Sequence, residues 1–137
     1  MRFAYGKVGG YKENENVLSA FTTIGGVFKH ADSHKNQGAW KMPSRWEKKR
    51  LELESSNAAF NFVTTHDTHG GNSGSPVVDK DLRITGLLFD GNIHKPKNHF
   101  LYTDGRARSV AVHSAGILEA LKKVYGADRL VKELMDK

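Results

Sequence analysis

A serine set among glycines is the part of this sequence best suited to chemistry: residues 70–76 read Gly-Gly-Asn-Ser-Gly-Ser-Pro. A serine that attacks a carbonyl needs an unobstructed Oγ and nearby backbone N–H groups that take up the negative charge of the tetrahedral intermediate. Small residues let the chain curl closely enough for this, and the N–H groups of Gly71 and Ser73 are the candidate donors. On composition alone a glycine-rich surface turn is an equally good interpretation, because these are the commonest turn residues.

Several segments around this turn carry strand signals, which are alternation or a high content of aromatic and β-branched residues. They are residues 2–8, 16–29, 60–65, 77–79, 83–89, 100–103 and 108–112. The segment 16–29 is predicted as a strand pair or a bent strand, because Gly25 and Gly26 interrupt it. The strand at 60–65 leads into the serine turn, and the hairpin of 77–79 with 83–89 follows it.

Helix signals occupy the middle and the end of the chain. Ser44 is the predicted N-cap of a charged helix that ends near residues 55–56, with Glu47 as its capping-box partner. The apolar residues predicted to face the body of the protein are Trp46, Leu51 and Leu53. Ser114 precedes an apolar stripe of helical spacing, and residues 127–135 predict a short last helix.

Charge and composition narrow the function classes. The chain has 137 residues, a formal charge of +6 and a pI near 9.6. Its basic residues are dispersed apart from a cluster at 41–50. A solvated helix face is favoured over a nucleic-acid partner as the explanation of that cluster. Cysteine is absent, which excludes disulfides and thiolate metal sites. His30 and His34 are interpreted as loop residues rather than metal ligands, so neither a metal nor a cofactor is predicted. We recognise no signal peptide and no membrane span.

The serine segment resembles that of trypsin-like peptidases, in the form that has Asn before the serine. The likeness extends through residues 64–67 and 85–92, and also through 2–8 and 21–23, to the dipeptidyl-peptidase family that includes dipeptidyl-peptidases seven and eleven. It covers nearly the whole chain. The resemblance implies that Ser73 is the nucleophile and that the backbone of Gly71 contributes to the oxyanion hole.

The resemblance also implies substrate-binding residues. Asp67 stands six residues before Ser73, where trypsin-like enzymes carry the floor of the primary specificity pocket; a structural role is favoured over selection of a basic side chain. Phe89 and Asp90 belong to the strand end that pairs with the substrate backbone. Gly91 occupies the position where acid-specific members carry arginine, so the resemblance favours a hydrophobic over an acidic preference. Without the resemblance, residues 90–91 would be interpreted as a hairpin turn.

The predicted fold is mainly β: a six-stranded antiparallel β-barrel with one inserted helix and a C-terminal helical tail, in a single domain over residues 1–137. By resemblance it is the C-terminal, serine-bearing barrel of a trypsin-like double-barrel fold. The N-terminal barrel that carries the catalytic His and Asp, and the family's helical domain, are not recognised in the sequence. A base in the turn itself is disfavoured, because His69 lies only four residues from Ser73.

The implied function is release of dipeptides from peptide N-termini by a periplasmic, cell-surface or secreted enzyme, and we expect the chain alone to be inactive. Its expected partners are a peptide substrate and the missing barrel, and the resemblance leaves a homodimer open. The alternative is a noncatalytic module that binds peptides or associates with nucleic acid.

Overall fold

The computed structural model describes residues 3–136, apart from the side chain of His99. Seven strands and five α-helices follow one another in the chain. The strands are β1 (Tyr11–Glu13), β2 (Asn16–Leu18), β3 (Phe21–Thr23), β4 (Ala59–Thr64), β5 (Pro76–Val78), β6 (Ile84–Gly91) and β7 (Ser109–His113). The helices are α1 (Ile24–Ser33), α2 (Ser44–Glu47), α3 (Arg50–Leu53), α4 (Ser114–Glu119) and α5 (Asp128–Met135), with 3₁₀ turns at Gly38–Trp40 and Lys95–His99 and a π-helical turn at Ala120–Val124.

The strands form one antiparallel sheet of five strands and one separate hairpin. The sheet has the order β3-β4-β7-β6-β5, and β1 pairs with β2. The strand predicted at 60–65 and the predicted hairpin after the serine turn are confirmed as β4, β5 and β6. The register of β6 against β7 shifts between Leu88 and Asp90, so that Phe89 forms a bulge. Antiparallel β structure with accompanying helices is therefore confirmed.

Closure of the sheet into a six-stranded barrel is not seen among residues 3–136. Two of the segments predicted as strands, 2–8 and 100–103, contain no strand in the part of the chain that the structure describes. Arg2 lies outside the described residues, and the rest of segment 2–8 pairs with β4 only through an isolated bridge from Val8 to Thr64. Segment 100–103 follows a 3₁₀ turn, and the Asn98 amide binds both the carbonyl and the N–H of Thr103 (2.9 and 3.3 Å), which occupies groups that a strand would need.

The chain divides into two compact units. The first contains the residues up to Phe21 together with Asn61–Ser114, and the second contains Thr22–Phe60 together with the residues from Ala115 onward. The first unit carries the serine turn and β5, β6 and β7. The single-domain assignment of the sequence stays a prediction.

The second unit is built on α1, where the sequence predicted a bend or strand pair. The Thr23 side chain caps this helix by accepting a hydrogen bond from Gly26 N (3.1 Å). Gly25 lies in the first turn, where an added Cβ would approach the carbonyl oxygen of Glu54 to 2.5 Å, so the glycine permits close packing rather than a bend. The core around α1 consists of Ile24, Phe28, Ala31, Met42, Leu53 and Val124.

The helix predicted from Ser44 is present as two short helices, α2 and α3. Its N-cap is Pro43, with no side-chain cap, so the predicted capping box is wrong. Glu47 instead pairs with Arg50, at 2.6 Å from its Nε. Leu53 is fully buried as predicted, whereas Leu51 is 89% exposed, because residues two apart in a helix point to different sides.

The C-terminal helices agree with the sequence prediction. Gly126, at φ +59°, separates the π-helical turn from α5. Among residues 3–136, no helix combines the length and the apolar character needed to cross a bilayer.

Candidate active site

The serine turn lies between β4 and β5 and needs glycine at two positions. Gly71 has φ +90° and Gly74 has φ +87°, a left-handed region that residues with a Cβ rarely adopt. Asn72 stabilises the loop from its own side chain, because its Oδ1 accepts a hydrogen bond from His69 N at 2.8 Å. Its carbonyl accepts one from Ser75 N at 3.0 Å. Gly71 and Gly74 are therefore required by the conformation of the turn.

Backbone hydrogen bonds hold the turn against the end of β6. Gly74 N donates to Leu88 O (2.7 Å), and Leu88 N donates to Ser75 O (2.9 Å). The Ser73 hydroxyl is exposed and donates to Phe89 O at 3.2 Å. A carbonyl oxygen is too weak a base to remove the hydroxyl proton, so this arrangement positions Ser73 without activating it.

Two N–H groups in the turn are available to a ligand. Neither Gly71 N nor Ser73 N donates a hydrogen bond to another group within residues 3–136, whereas Asn72, Gly74 and Ser75 each donate one. Unpaired, solvent-accessible N–H groups beside a nucleophile are what an oxyanion hole requires. The two donors proposed from the sequence are thus among the N–H groups of the turn that have no acceptor within residues 3–136, and Gly70 N is another.

Ser73 opens into a cleft of about 340 Å³ in the first unit. Phe89, Asp90 and Gly91 line this cleft together with Ser73, so the structure brings together four of the residues predicted from the sequence. Asp90 is exposed, and its Oδ1 accepts a hydrogen bond from Gly91 N at 2.8 Å.

Asp67 lies beside a second cleft rather than the one that contains Ser73. It lines a neighbouring cleft of about 250 Å³, with His66, Asn72 and Ser75, and it is not among the residues that line the Ser73 cleft. Its Oδ1 is buried and accepts no hydrogen bond within the described residues. That atom lies 3.4 Å from His69 Nε2, within ion-pair range but without hydrogen-bond geometry. The predicted role of Asp67 as the floor of the specificity pocket stays a prediction.

The segment that contains Asp67 is bound to β7 through hydroxyl groups. Ser109, which is fully buried, donates to His66 O at 2.9 Å and contacts Thr68 Oγ1 at 2.7 Å. His66 Nδ1 lies 2.7 Å from Thr64 Oγ1. Burial lowers the pKa of His66 below its ordinary value of 6.5, and the nearby Lys95 cation lowers it further. The segment that precedes the serine turn is therefore fixed to β7 by hydrogen bonds of hydroxyl groups.

Lys95 is the residue in this cleft that sequence reasoning missed. It begins the Lys95–His99 turn and lines the cleft with Ser73, yet it is only 9% exposed. Its Nζ donates to His66 O at 2.6 Å. Burial lowers the pKa of Lys95, and the Asp67 carboxylate partly offsets that effect. A lysine in a polar, proline-containing segment gives no sequence signal of burial, because such segments usually lie in solvent.

Metal ligands do not cluster in the described part of the chain, where no group of three or more His, Cys, Asp or Glu side chains could hold an ion. His30 and His34 lie in the second unit at the end of α1, and both contact Trp40; the ring of His34 stacks on the indole at 4.4 Å.

Comparison with known proteins identifies the family. The peptidase S46 family profile matches residues 1–136. The chain is 33% identical to the Asp/Glu-specific dipeptidyl-peptidase of Porphyromonas gingivalis, over 98% of this chain and 19% of that protein, and 29% identical to dipeptidyl-peptidase 7 of Phocaeicola vulgatus over the same shares. The crystal structure of Porphyromonas endodontalis DPP11 in complex with the dipeptide Arg-Glu aligns with a TM-score of 0.84 at 28% identity, over 99% of this chain and 20% of that one. The chain therefore spans about a fifth of the length of these relatives. Over that span, its sequence and its fold place it in the peptidase S46 family.

Proposed function

We propose that this chain carries the nucleophile of a serine dipeptidyl-peptidase, with Ser73 as the attacking residue. The observation that carries the proposal is the serine turn, where an exposed Ser73 Oγ stands beside two N–H groups that have no other acceptor in the described residues. The names of the relatives support the reaction class, because each is a dipeptidyl-peptidase. The proposal includes the fold: the serine-bearing barrel of a trypsin-like double-barrel peptidase.

In the first step, Ser73 Oγ bonds to the carbonyl carbon of the scissile peptide and its proton passes to a general base. The negative oxygen of the resulting intermediate is bound by the N–H groups of Gly71 and Ser73. The intermediate then collapses to an acyl-enzyme: the C–N bond breaks and the base returns the proton to the leaving amine. Water hydrolyses the acyl-enzyme by the same route and releases the dipeptide.

The substrate backbone would lie along the end of β6. Strand β5 pairs with β6 only as far as Leu87, which is opposite Pro76, so residues 89–91 extend past β5 along the cleft. An extended peptide can add to such an edge as a further strand. In this proposal the scissile carbonyl lies beside Ser73.

The general base and the acid that orients it are assigned to a part of the enzyme outside these 137 residues. Two observations support this assignment. The Ser73 hydroxyl donates to a carbonyl, and the relatives are about five times as long as this chain. The chain alone is then expected to show no peptidase activity.

The test is labelling by a fluorophosphonate probe, which reacts with activated serines. The chain is labelled alone and after mixing with the separately expressed N-terminal portion of a related peptidase. Ser73→Ala is the test variant, and Ser75→Ala is the matched control, because Ser75 is an exposed serine in the same turn. Labelling in the mixture that is lost in Ser73→Ala and kept in Ser75→Ala supports the proposal.

Two results count against it. Labelling of Ser73 in the chain alone would mean that a base within the 137 residues activates it, and the assignment of the base elsewhere would be wrong. Labelling that persists in Ser73→Ala would show that another residue is the nucleophile.

A further inference from the structure

Two histidines stand side by side at the end of helix α1. His30 lies in the last turn of the helix, and His34 is its C-cap residue, four positions later. Residues at i and i+4 are neighbours on one face of a helix, and here the two ring centroids are 4.7 Å apart. Both residues are exposed. His30 is thus part of a helix rather than of the loop predicted from the sequence, and the two imidazoles face solvent together.

A hydrogen bond sets the tautomer of His34. Its Nδ1 lies 3.0 Å from His30 O. Because a carbonyl oxygen only accepts hydrogen bonds, the neutral ring carries its proton on Nδ1 and its lone pair on Nε2. Histidines that bind metals are usually oriented in this way, by a bond from the other ring nitrogen to a carboxylate or a backbone carbonyl. Nε2 of His34 is therefore the ring nitrogen available to an ion.

Trp40 restrains the two rings. Its indole stacks on the ring of His34 at 4.4 Å and meets the ring of His30 edge-on at 4.9 Å. The ring nitrogens of His30 form no hydrogen bond with another group of residues 3–136. Rings that are already held in place lose less conformational entropy when they bind a common ion.

The spacing and the charge around the rings are compatible with a bound cation. Nitrogens at about 2.0–2.1 Å from one ion place the centroids of neighbouring imidazoles roughly 4.5–5.2 Å apart, a range that includes the observed 4.7 Å. The carbonyl end of a helix also favours positive charge. Lys29 and Lys35 oppose it only weakly, because both are exposed and solvent screens them.

We propose that His30 and His34 form a binding site for a first-row divalent metal ion. Imidazole nitrogens suit Cu²⁺, Ni²⁺ and Zn²⁺, whereas Mg²⁺ and Ca²⁺ prefer oxygen ligands. The described residues offer no third His, Cys, Asp or Glu ligand, so water completes the coordination. A tetragonal set of nitrogen and oxygen ligands is typical of Cu²⁺, which also binds most tightly in the series. The site belongs to the second unit and does not rest on the proposed function of Ser73.

The test is isothermal titration calorimetry of the 137-residue chain with CuCl₂, ZnCl₂ and MgCl₂. Cu²⁺ should bind more tightly than Zn²⁺, and Mg²⁺ should not bind. Losing a direct ligand should cost at least as much affinity as losing a residue that only orients one, so His30→Gln and His34→Gln should each weaken Cu²⁺ binding by at least about 10–100-fold. The matched control is His94→Gln, because His94 Nε2 is already engaged by Glu13 at 2.7 Å; its Cu²⁺ affinity should equal that of the native chain.

A second measurement locates the ion without any substitution and covers the case in which a variant does not fold. Substoichiometric Cu²⁺ broadens the NMR signals of nearby protons, so the ring signals of His30 and His34 in the native chain should disappear first. Unchanged Cu²⁺ affinity in His30→Gln and His34→Gln would overturn the proposal, as would broadening that begins at other histidines or the absence of Cu²⁺ binding to the native chain.

Discussion

Two adjacent glycines in the serine turn offer a matched pair of substitutions, Gly70→Ala and Gly71→Ala. An added Cβ at either position meets nothing within 4 Å, so neither substitution introduces a steric contact. The two differ in backbone conformation: Gly71 has φ +90°, whereas Gly70 lies outside the left-handed region. Comparing them isolates the cost of that conformation.

The expected difference in the free energy of unfolding comes from the one effect that the two substitutions do not share. Each removes about 0.4–1 kcal/mol of conformational freedom from the unfolded chain, which stabilises the protein where the native backbone tolerates alanine. Gly71→Ala also forces a Cβ into a left-handed conformation, at a cost of about 1–2 kcal/mol. Because the unfolded-state contribution is common to both, we expect Gly71→Ala to be about 1–2 kcal/mol less stable than Gly70→Ala.

Urea unfolding followed by circular dichroism measures this difference. Fluorophosphonate labelling in the complemented mixture provides a second readout, because a strained turn at residue 71 redirects the N–H groups around Ser73. Labelling should be slower for Gly71→Ala and unchanged for Gly70→Ala. Equal stability and equal labelling of the two variants would refute the argument that the turn depends on the left-handed backbone of Gly71.

Two further predictions concern stability. Leu53→Ala should lower the free energy of unfolding by about 2–5 kcal/mol, because it opens a cavity in the core. Leu51→Ala, at an 89% exposed leucine in the same helix, should change that free energy by less than about 0.5 kcal/mol. Similar losses for the two variants in urea unfolding would contradict the packing described. Burial lowers the pKa of both His66 and His113, so the unfolded chain binds more protons below pH 6.5 and stability should fall as the pH drops from 6.5 toward the folded-state values. Replacing both histidines with Asn should reduce that slope in urea unfolding at stepped pH, and a native protein with a flat profile across this window would count against the prediction.

The serine turn and its flanking strands could be predicted because their signals are local. A left-handed turn selects glycine, and a half-buried strand selects alternating apolar residues, whatever the rest of the chain does. The turn around Ser73 and strands β4, β5 and β6 follow from these rules. The residues predicted to line the cleft with Ser73 lie there because β6 ends beside the turn.

Other features depend on contacts between residues far apart in the sequence. Gly25 and Gly26 suggested a bend, but they form the first turn of α1, where the small size of Gly25 lets the backbone of Glu54 approach. The capping box at Ser44 was wrong because Glu47 pairs with Arg50 instead. Likewise, only the folded structure shows that Lys95 is buried.

The bulge at Phe89 makes the length of β6 matter more than the identity of its side chains. Leu88 pairs with Ala111 and Asp90 with the next residue along β7, Val110, so one residue of β6 has no counterpart. Deleting that residue would restore regular pairing, but it would shift every following residue of β6 by one and turn its side chain to the opposite face of the sheet. It would also remove the carbonyl that accepts the hydrogen bond from the Ser73 hydroxyl. Substitutions in this part of β6 therefore change the side chains that line the cleft, whereas a single-residue insertion or deletion would change which residues line it.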